Sequence, residues 1–417
     1  MSRYYKKSEP ALPRVEQVEL SSEHKKARII TAVVLFVVGL VAIGIGLYAM
    51  LGNEKGWRTV DPGYIDGYTY VNDFKLNYYF GRDGGSAGGE YRMLVNAYNE
   101  VLTEATEMFN AIDRYDGVHN LCYINDHPNE EIEVDAYLYS SLKLLSEHSS
   151  RYMYLAPVYS SFYSIFACET DGQAAGYDPY YHEALASYFS DIASFASDES
   201  MIDLKFLGDN KVCLYVSDEY KKYSVLNDVT QYIDLWYIKN AFIVDYIADR
   251  LVERGYNYGY IVSYDGFTRC FDRSDTVYEY IITEHSDSVY GQAAVMEHSG
   301  CTTLVDLRLY PKSSLEDDLK YYRYSDGRIV SDRLDVSDGI SRSSIDEITV
   351  YSYGGTCAAA VIDAFPIIIS ESFDSSAVKS LADNGVYAIY VDGENIVCTE
   401  QGLKLRNVTD GFNIKYD

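Results

Sequence analysis

The feature that most constrains the fold is an apolar run at residues 29–51, interrupted only by Thr31 and three glycines. About 20 apolar residues, at a helical rise of about 1.5 Å each, span a hydrocarbon core of about 30 Å. A cleavable signal peptide has a shorter apolar run, and no cysteine that could carry a lipid follows before Cys122. We therefore predict an uncleaved transmembrane signal anchor at residues 29–51. A buried core helix is the alternative.

The charges around this run predict its orientation. Four Lys or Arg residues precede it closely and two follow it closely, and an excess of positive charge marks the cytoplasmic side of a span. Residues 1–28 are then a cytoplasmic tail, predicted to be disordered because it is polar and lacks apolar periodicity. Residues 52–66 are predicted to be a linker, and residues 67–417 to form one extracytoplasmic domain of a single-pass protein of the cell membrane.

The overall charge argues against nucleic acid as a partner. The chain has 63 acidic and 35 basic residues, which gives a formal charge of −28. A field of this sign repels nucleic acid and anionic lipid head groups. We therefore expect protein or small-molecule partners.

The seven cysteines are widely spaced and include no Cys-x-x-Cys pair. This spacing argues against a zinc site and against a thioredoxin-type redox pair. Several of the cysteines lie in apolar segments, where buried free thiols are expected. One disulfide between two of these cysteines, on the outside of the cell, is left as an alternative.

Apolar periodicity predicts interleaved helices and strands. The predicted helices lie near residues 91–112, 134–145, 181–195, 235–251, 357–369 and 376–384. The predicted strands lie near residues 68–80, 202–206, 211–216, 258–264, 293–310, 348–353, 386–391 and 395–399. No internal repeat separates these elements, so we predict a single α+β domain with an extensive core.

One stretch within this pattern carries an unusual residue. The helix at 235–251 is largely apolar but carries Lys239 near its start, and the following strand ends at the turn Asp265-Gly266. This stretch resembles a Lys-Gly-x-x-x-Asp helix of the FAD:protein FMN transferase (ApbE-like) family. Lys239 and Asp245 match that motif, Asn240 stands in place of its glycine, and Asp265-Gly266 stands in place of a Gly-Gly turn.

Three further segments extend the resemblance to about residues 68–405. Asp335 and Gly339 match a His-x-x-Asp-Pro-x-x-Gly segment of the family, whose histidine is replaced here by Asp332. Asp363 matches the aspartate of a metal-binding Ala-Asp-Ala-x-x-Thr helix. The aromatic-rich stretch that begins at Tyr152 matches a turn of the family.

The resemblance implies an ApbE-like, T-fold-related α+β ectodomain and the chemistry of that family. This chemistry is the transfer of FMN from FAD to a Thr or Ser of an acceptor protein. The implied site has Asp363 as the Mg²⁺ ligand, and Asp335 and Lys239 as catalytic residues. The implied cofactor-binding residues are Lys239, Asp245, Asp265, Gly266, Gly339 and Tyr152.

Four departures from the family pattern leave the activity open. Met153 replaces a polar residue, Asn240 a glycine, Asp332 a histidine, and Ile367 the threonine that would share a helical face with Asp363. One alternative is a catalytically inactive member that binds flavin or a protein partner at the cell surface. Another is an unrelated surface scaffold. A common pocket for Lys239, Asp335 and Asp363 would argue against the scaffold.

Overall fold

The computed structural model describes residues 25–51, 55–62, 73–84, 86–148, 150–286, 289–310 and 320–417. Most of the predicted cytoplasmic tail, much of the predicted linker and the first part of the strand predicted at 68–80 lie outside these residues. Within the described parts of the chain, no helix has both the length and the apolar character needed to cross a membrane. The membrane anchor therefore stays a prediction.

Helices occupy much of the described chain before residue 254. In chain order they are α1 (Lys25–Leu51), α2 (Ala87–Met108), α3 (Leu121–Asp126), α4 (Ala136–Glu147), α5 (Ala156–Phe166), α6 (Asp171–Ala174), α7 (Glu183–Ser197), α8 (Asp218–Leu226), α9 (Lys239–Glu253), α10 (Cys357–Ile368) and α11 (Ser375–Ser380). In the part of the chain that the structure describes, short 3₁₀ helices cover Tyr152–Leu155 and Leu381–Asn384.

Strands occupy most of the regular structure after α9. In chain order they are β1 (Gly56–Val60), β2 (Phe74–Phe80), β3 (Ile132–Glu133), β4 (Ile202–Gly208), β5 (Lys211–Val216), β6 (Gly259–Ser263), β7 (Phe267–Cys270), β8 (Tyr278–Ser286), β9 (Val289–His298), β10 (Thr302–Arg308), β11 (Tyr321–Arg323), β12 (Ile329–Ser331), β13 (Glu347–Tyr353), β14 (Val386–Asp392), β15 (Asn395–Cys398), β16 (Leu405–Arg406) and β17 (Asn413–Tyr416).

A nine-stranded sheet organises these elements. Its order is β1-β2-β6-β7-β10-β13-β14-β15-β17, and neighbours are antiparallel except for the parallel pair β15–β17. Among the described strands, small sheets with the orders β3-β5-β4, β16-β9-β8 and β11-β12 accompany it. The mixed helix and strand architecture predicted from the sequence is confirmed.

The large sheet separates two apolar cores. Successive side chains of a strand point to opposite faces, so Val305 joins the core under the helices, whereas its neighbour Leu304 joins the core under the β8–β9 hairpin. Val350 and Tyr351 divide in the same way. Helix α9 packs against β6, β7, α2 and α10. The start of α9 is thereby held beside the end of β6, where the candidate site lies.

The aromatic-rich stretch at 152–159 is not a turn, so that prediction was wrong. A 3₁₀ helix at Tyr152–Leu155 continues directly into α5. Pro157 lies in the first turn of α5, where the backbone N–H that proline lacks would have no partner within the helix. All seven cysteines are free thiols in the structure, and four of them (Cys122, Cys270, Cys357 and Cys398) are buried.

Candidate functional site

Asp265 is the centre of a polar cluster where β6 ends and α9 begins. Its side chain is 3 % exposed. One carboxylate oxygen accepts a hydrogen bond from Ser263 Oγ at 2.6 Å, and the other accepts from Asn240 Nδ2 at 2.9 Å and from Lys320 Nζ at 2.8 Å. The two residues that replace family glycines, Asn240 and Asp265, therefore contact each other.

Lys320 links this carboxylate to a second one. Its Nζ lies 3.8 Å from Asp332 Oδ2, and the Asp332 side chain is 14 % exposed. Burial disfavours the ionisation of Asp265, but Lys320 and the two hydrogen-bond donors outweigh it and hold the pKa of Asp265 below its ordinary value. At Asp332 burial prevails over the attraction of Lys320, and the pKa is raised. The cluster thus binds one cation, Lys320, between two carboxyl groups.

Gly266 allows the turn after β6 to lie directly on β10. Its φ of +104° is in the left-handed region, which L side chains rarely adopt. A Cβ at this position would lie 2.5 Å from the backbone oxygen of Asp306. The backbone oxygen of Gly266 also accepts a hydrogen bond from the Asp306 N–H at 3.0 Å. A glycine is therefore required here by the fold itself.

Lys239 is the first residue of α9 and is half-buried. It stabilises the charged form of Asp234, whose pKa is nevertheless raised because the carboxyl group is buried. Beside them Trp236 stacks on Tyr159, with ring centroids 4.8 Å apart and an angle of 11° between the planes. The indole N–H of Trp236 donates to the backbone oxygen of Asp332 at 3.1 Å. These contacts join the start of α9 to the Asp265 cluster.

Asp245 holds the N-terminus of helix α10. Its two carboxylate oxygens accept the backbone N–H groups of Cys357 and Ala358, each at 2.9 Å, and the side chain is 2 % exposed. Arg269 Nη1 lies 3.6 Å away. Burial raises the pKa of Asp245 to about 6 in spite of these partners. The observed contacts of Asp245 are those of a buried helix cap.

Asp335 and Tyr152 lie close together at another part of the site. Asp335 pairs with Arg342 at 2.9 Å and accepts from the backbone N–H and the hydroxyl of Ser337. Burial, with a smaller contribution from Asp335, raises the pKa of Tyr152 to about 12. The Tyr152 ring packs on Phe365 of α10 at a centroid distance of 5.4 Å.

Gly339 closes the loop that follows Asp335. Its N–H donates to the backbone oxygen of Asp335 at 2.7 Å, and its φ is +74°. A Cβ there would lie 3.3 Å from the backbone oxygen of Phe189 and 3.4 Å from Val158 Cγ1. Gly339 therefore has a packing role against α5 and α7, independent of any ligand.

Asp363 lies on α10 and is half-buried. Its carboxylate accepts a hydrogen bond from Asn384 Nδ2 at 3.2 Å, and the residue one turn later, Ile367, packs against the apolar core. Among the described residues, no group of three or more His, Cys, Asp or Glu side chains is arranged to hold a metal ion. Mg²⁺ usually keeps several waters and takes only one or two carboxylates from a protein, so Asp363 supplies one possible ligand, whereas Ile367 supplies no second oxygen beside it.

The structure brings together only part of the predicted set. Lys239, Asp265 and Gly266 lie at the junction of α9 and β6, whereas Asp335 lies with Tyr152 beside the middle of α10. Two charged residues of this junction were not predicted from the sequence: Lys320, which pairs with Asp265, and Asp234, which lies near Lys239. No local pattern marks Lys320, because its partners lie far away along the chain.

Solved structures of flavin transferases share this arrangement of sheet and helices. The ApbE protein from Thermotoga maritima matches 85 % of this chain and 96 % of its own length, with a TM-score of 0.56 and 14 % sequence identity. The flavin transferase ApbE from Vibrio cholerae matches 86 % of this chain and 99 % of its own length, with a TM-score of 0.52 and 14 % identity. The chain therefore has an ApbE-like fold. No protein-family model and no curated protein matches its sequence.

Proposed function

We propose that this chain is a membrane-anchored, extracytoplasmic protein built on the flavin-transferase fold. The apolar run at residues 29–51 and the basic residues before it support the anchor and its orientation. The similarity to the Thermotoga and Vibrio proteins over almost their whole lengths supports the second part of the proposal.

The first candidate activity is the transfer of FMN from FAD to a Thr or Ser of an acceptor protein, with release of AMP. This reaction breaks a pyrophosphate bond, so it requires positive charge near the phosphates and an aligned acceptor hydroxyl. Lys239 would order the nucleotide, and Asp335 would assist the acceptor hydroxyl. The Asp265-Gly266 turn would line the flavin cleft. Mg²⁺ bound at Asp363 would neutralise phosphate charge, but Ile367 adds no second oxygen ligand on that helical face.

The second candidate is a catalytically inactive relative that binds flavin or a protein partner, and the geometry favours it. The observation that carries this conclusion is the state of the Asp265 carboxylate. Ser263, Asn240 and Lys320 engage both of its oxygens in a site that is 3 % exposed. A carboxylate at this point opposes a phosphate, and the side chains of Asn240 and Asp265 fill space that two glycines would leave open. On this basis we propose that the chain binds flavin or a protein partner without transferring FMN.

One experiment separates the two candidates. The purified full chain is incubated with FAD, Mg²⁺ and an FMN-binding acceptor domain, and covalent flavin on the acceptor is measured by mass spectrometry. The flavin transferase from Vibrio cholerae serves as the positive control. We expect no transfer by this chain. Covalent flavin on the acceptor would overturn the inactive assignment.

A thermal unfolding scan with and without FAD tests what the inactive protein binds. A rise in the melting temperature with FAD indicates retained nucleotide binding. An unchanged melting temperature leaves the protein partner as the ligand of this fold. Repeating the scan with FAD and Mg²⁺ tests whether the ion contributes, and from the donor set at Asp363 we expect no additional rise.

A further inference from the structure

An aromatic cluster lies at one end of the large sheet, beside its first edge strand. The ring of Trp57 on β1 lies 5.7 to 5.8 Å from three tyrosine rings, those of Tyr79, Tyr260 and Tyr278. Trp57 is nevertheless 40 % exposed, and Val277, which precedes Tyr278, is 63 % exposed. Large apolar side chains that are held in place by their neighbours and still face solvent are typical of a contact surface.

The strand register explains why these rings meet on one face of the sheet. Trp57 pairs with Tyr79 of β2, and Asn77, two residues before Tyr79, pairs with Tyr260 of β6. Residues two apart on a strand, and residues paired across strands, point to the same face. Trp57, Tyr79 and Tyr260 therefore share a face. Tyr278, at the start of β8, completes the cluster, with its ring 5.8 Å from that of Tyr260.

Basic side chains accompany the aromatic cluster, although the chain as a whole is strongly acidic. Lys55, Lys75 and Arg82 are exposed. The Arg82 guanidinium lies over a ring of the cluster at 5.3 Å and over the ring of Tyr258 at 5.2 Å, and the nearby carboxylate of Asp83 accepts a hydrogen bond from the Tyr258 hydroxyl. Trp and Tyr rings beside Lys and Arg form the kind of surface that proteins place at the membrane–water interface.

The position of the cluster in the chain indicates which partner lies opposite it. Trp57 follows Leu51, the last residue of the predicted anchor, by six residues. A chain covers at most about 3.6 Å per residue, so Trp57 lies within about 20 Å of the end of the span. A Cβ at Gly81, next to Arg82, would lie 2.8 Å from Lys55 Cγ. The chain that leaves the anchor therefore enters the sheet directly at the cluster.

We propose that the cluster of Trp57, Tyr79, Tyr260 and Tyr278 rests in the head-group region of the membrane that carries the anchor. The rings lie at the boundary between acyl chains and water, and the basic side chains beside them bind lipid phosphates. This inference rests on the proposed membrane anchor and is independent of whether FMN is transferred. The Asp265 cluster follows the opposite end of β6, which keeps the candidate site clear of the lipid.

The test uses the full chain in vesicles of zwitterionic phosphatidylcholine, with and without bromine on the acyl chains. Bromine quenches the fluorescence of an indole that it contacts. Trp57 and Trp236 are the two tryptophans of the chain, so subtracting the emission of W57F from that of the wild type gives the emission of Trp57. We expect this emission to lose most of its intensity in the brominated vesicles. Trp236, which is 5 % exposed, should keep its intensity.

The matched control is W57F/Y416W, which moves the exposed indole to β17 at the other edge of the large sheet. Tyr416 is 39 % exposed, so the two positions are equally open to solvent. The indole of this variant should keep its intensity in brominated vesicles. Melting temperatures equal to that of the wild type show that both variants are folded.

Flotation of the vesicles on a density gradient tests the anchor separately. A chain that does not float with the vesicles contradicts the anchor, and this inference fails with it. A chain that floats while Trp57 keeps its intensity, or while W57F/Y416W loses as much intensity as Trp57, overturns this inference alone. A Trp57 that is shielded from iodide in water but not quenched by brominated lipid would show that a second copy of the protein covers the surface, and it would also overturn the proposal.

Discussion

Replacing Asp245 by Asn tests whether this buried carboxyl group is a helix cap that carries a cost of ionisation. Asp245 accepts the first two backbone N–H groups of α10, from Cys357 and Ala358. An amide of the same size retains one acceptor but presents an NH₂ group to the second N–H. Leaving one buried donor unsatisfied costs about 1–3 kcal/mol. The variant should therefore be less stable than the wild type at low pH.

The informative quantity is how the difference in free energy of unfolding between the wild type and D245N changes with pH. Burial raises the pKa of Asp245 from an ordinary 3.8 to about 6 in the folded protein. The folded state thus binds the proton more tightly than the unfolded state does, so the contribution of this group to stability is fully present at low pH and is lost as pH rises through 3.8 to 6. The total loss is about 3 kcal/mol, of which about 1.4 kcal/mol falls between about pH 5 and pH 7.5. Asn does not titrate, so D245N does not lose this part of its stability as the pH rises.

The assay is urea unfolding at several pH values, followed by the fluorescence of Trp236, which is 5 % exposed. The free energy of unfolding of the wild type minus that of D245N should fall by about 1.4 kcal/mol between about pH 5 and pH 7.5. The matched control is T356A, which removes the other cap of the same helix, the Thr356 hydroxyl that accepts from the Ala359 N–H. Its difference from the wild type should not change with pH. A D245N difference that stays constant or grows with pH would refute the reasoning.

Two further substitutions test the Asp265-Gly266 turn and its cation. In urea unfolding, G266A should destabilise the fold by about 1 kcal/mol or more beyond the control G393A. Both glycines have positive φ, but a Cβ at position 266 would lie 2.5 Å from a backbone oxygen, whereas a Cβ at position 393 would have no atom within 4 Å. Equal losses of stability in the two variants would show that the close approach costs nothing. K320M should lower the free energy of unfolding by about 3–5 kcal/mol, since it leaves Asp265 buried and charged. The control K205M removes a cation that is 51 % exposed, so it should lower the free energy of unfolding by less than about 1 kcal/mol. Similar melting temperatures for K320M and K205M would contradict the internal ion pair.

The segment from α9 to the turn after β6 could be predicted because its signals are local. Apolar periodicity identified the helix, and the Asp265-Gly266 pair identified the end of the strand. The helix begins at Lys239 and not at residue 235. The residues before it form a turn, in which the N–H groups of Ile238 and Lys239 both donate to the backbone oxygen of Leu235. The start of α10 was also correct, because Thr356 is an N-cap before an apolar run.

Other features depend on contacts that no local pattern records. Strand β8 was missed because its alternation of exposed and buried residues is interrupted by an irregularity between Ile282 and Thr283, and alternation is the signal of a half-buried strand. Lys320 was missed because its partners Asp265 and Asp332 become its neighbours only when the sheet forms. The motif residue Asp245 was identified, but its use as a cap for a helix more than a hundred residues later is a tertiary contact.

The contacts of the candidate site bear directly on whether it can take a ligand. Asp265 is held by Lys320, and Asp335 by Arg342, so a ligand that needs either carboxylate must first displace a protein cation. Separating the buried Asp265–Lys320 pair costs about 3–5 kcal/mol, which would weaken the affinity for a ligand of Asp265 by roughly 150-fold to several thousand-fold. A ligand that supplied its own cation to Asp265 would recover part of this cost, but Lys320 would then lose the carboxylate that compensates its charge. These ion pairs are the physical support for the proposed binding role without transfer chemistry.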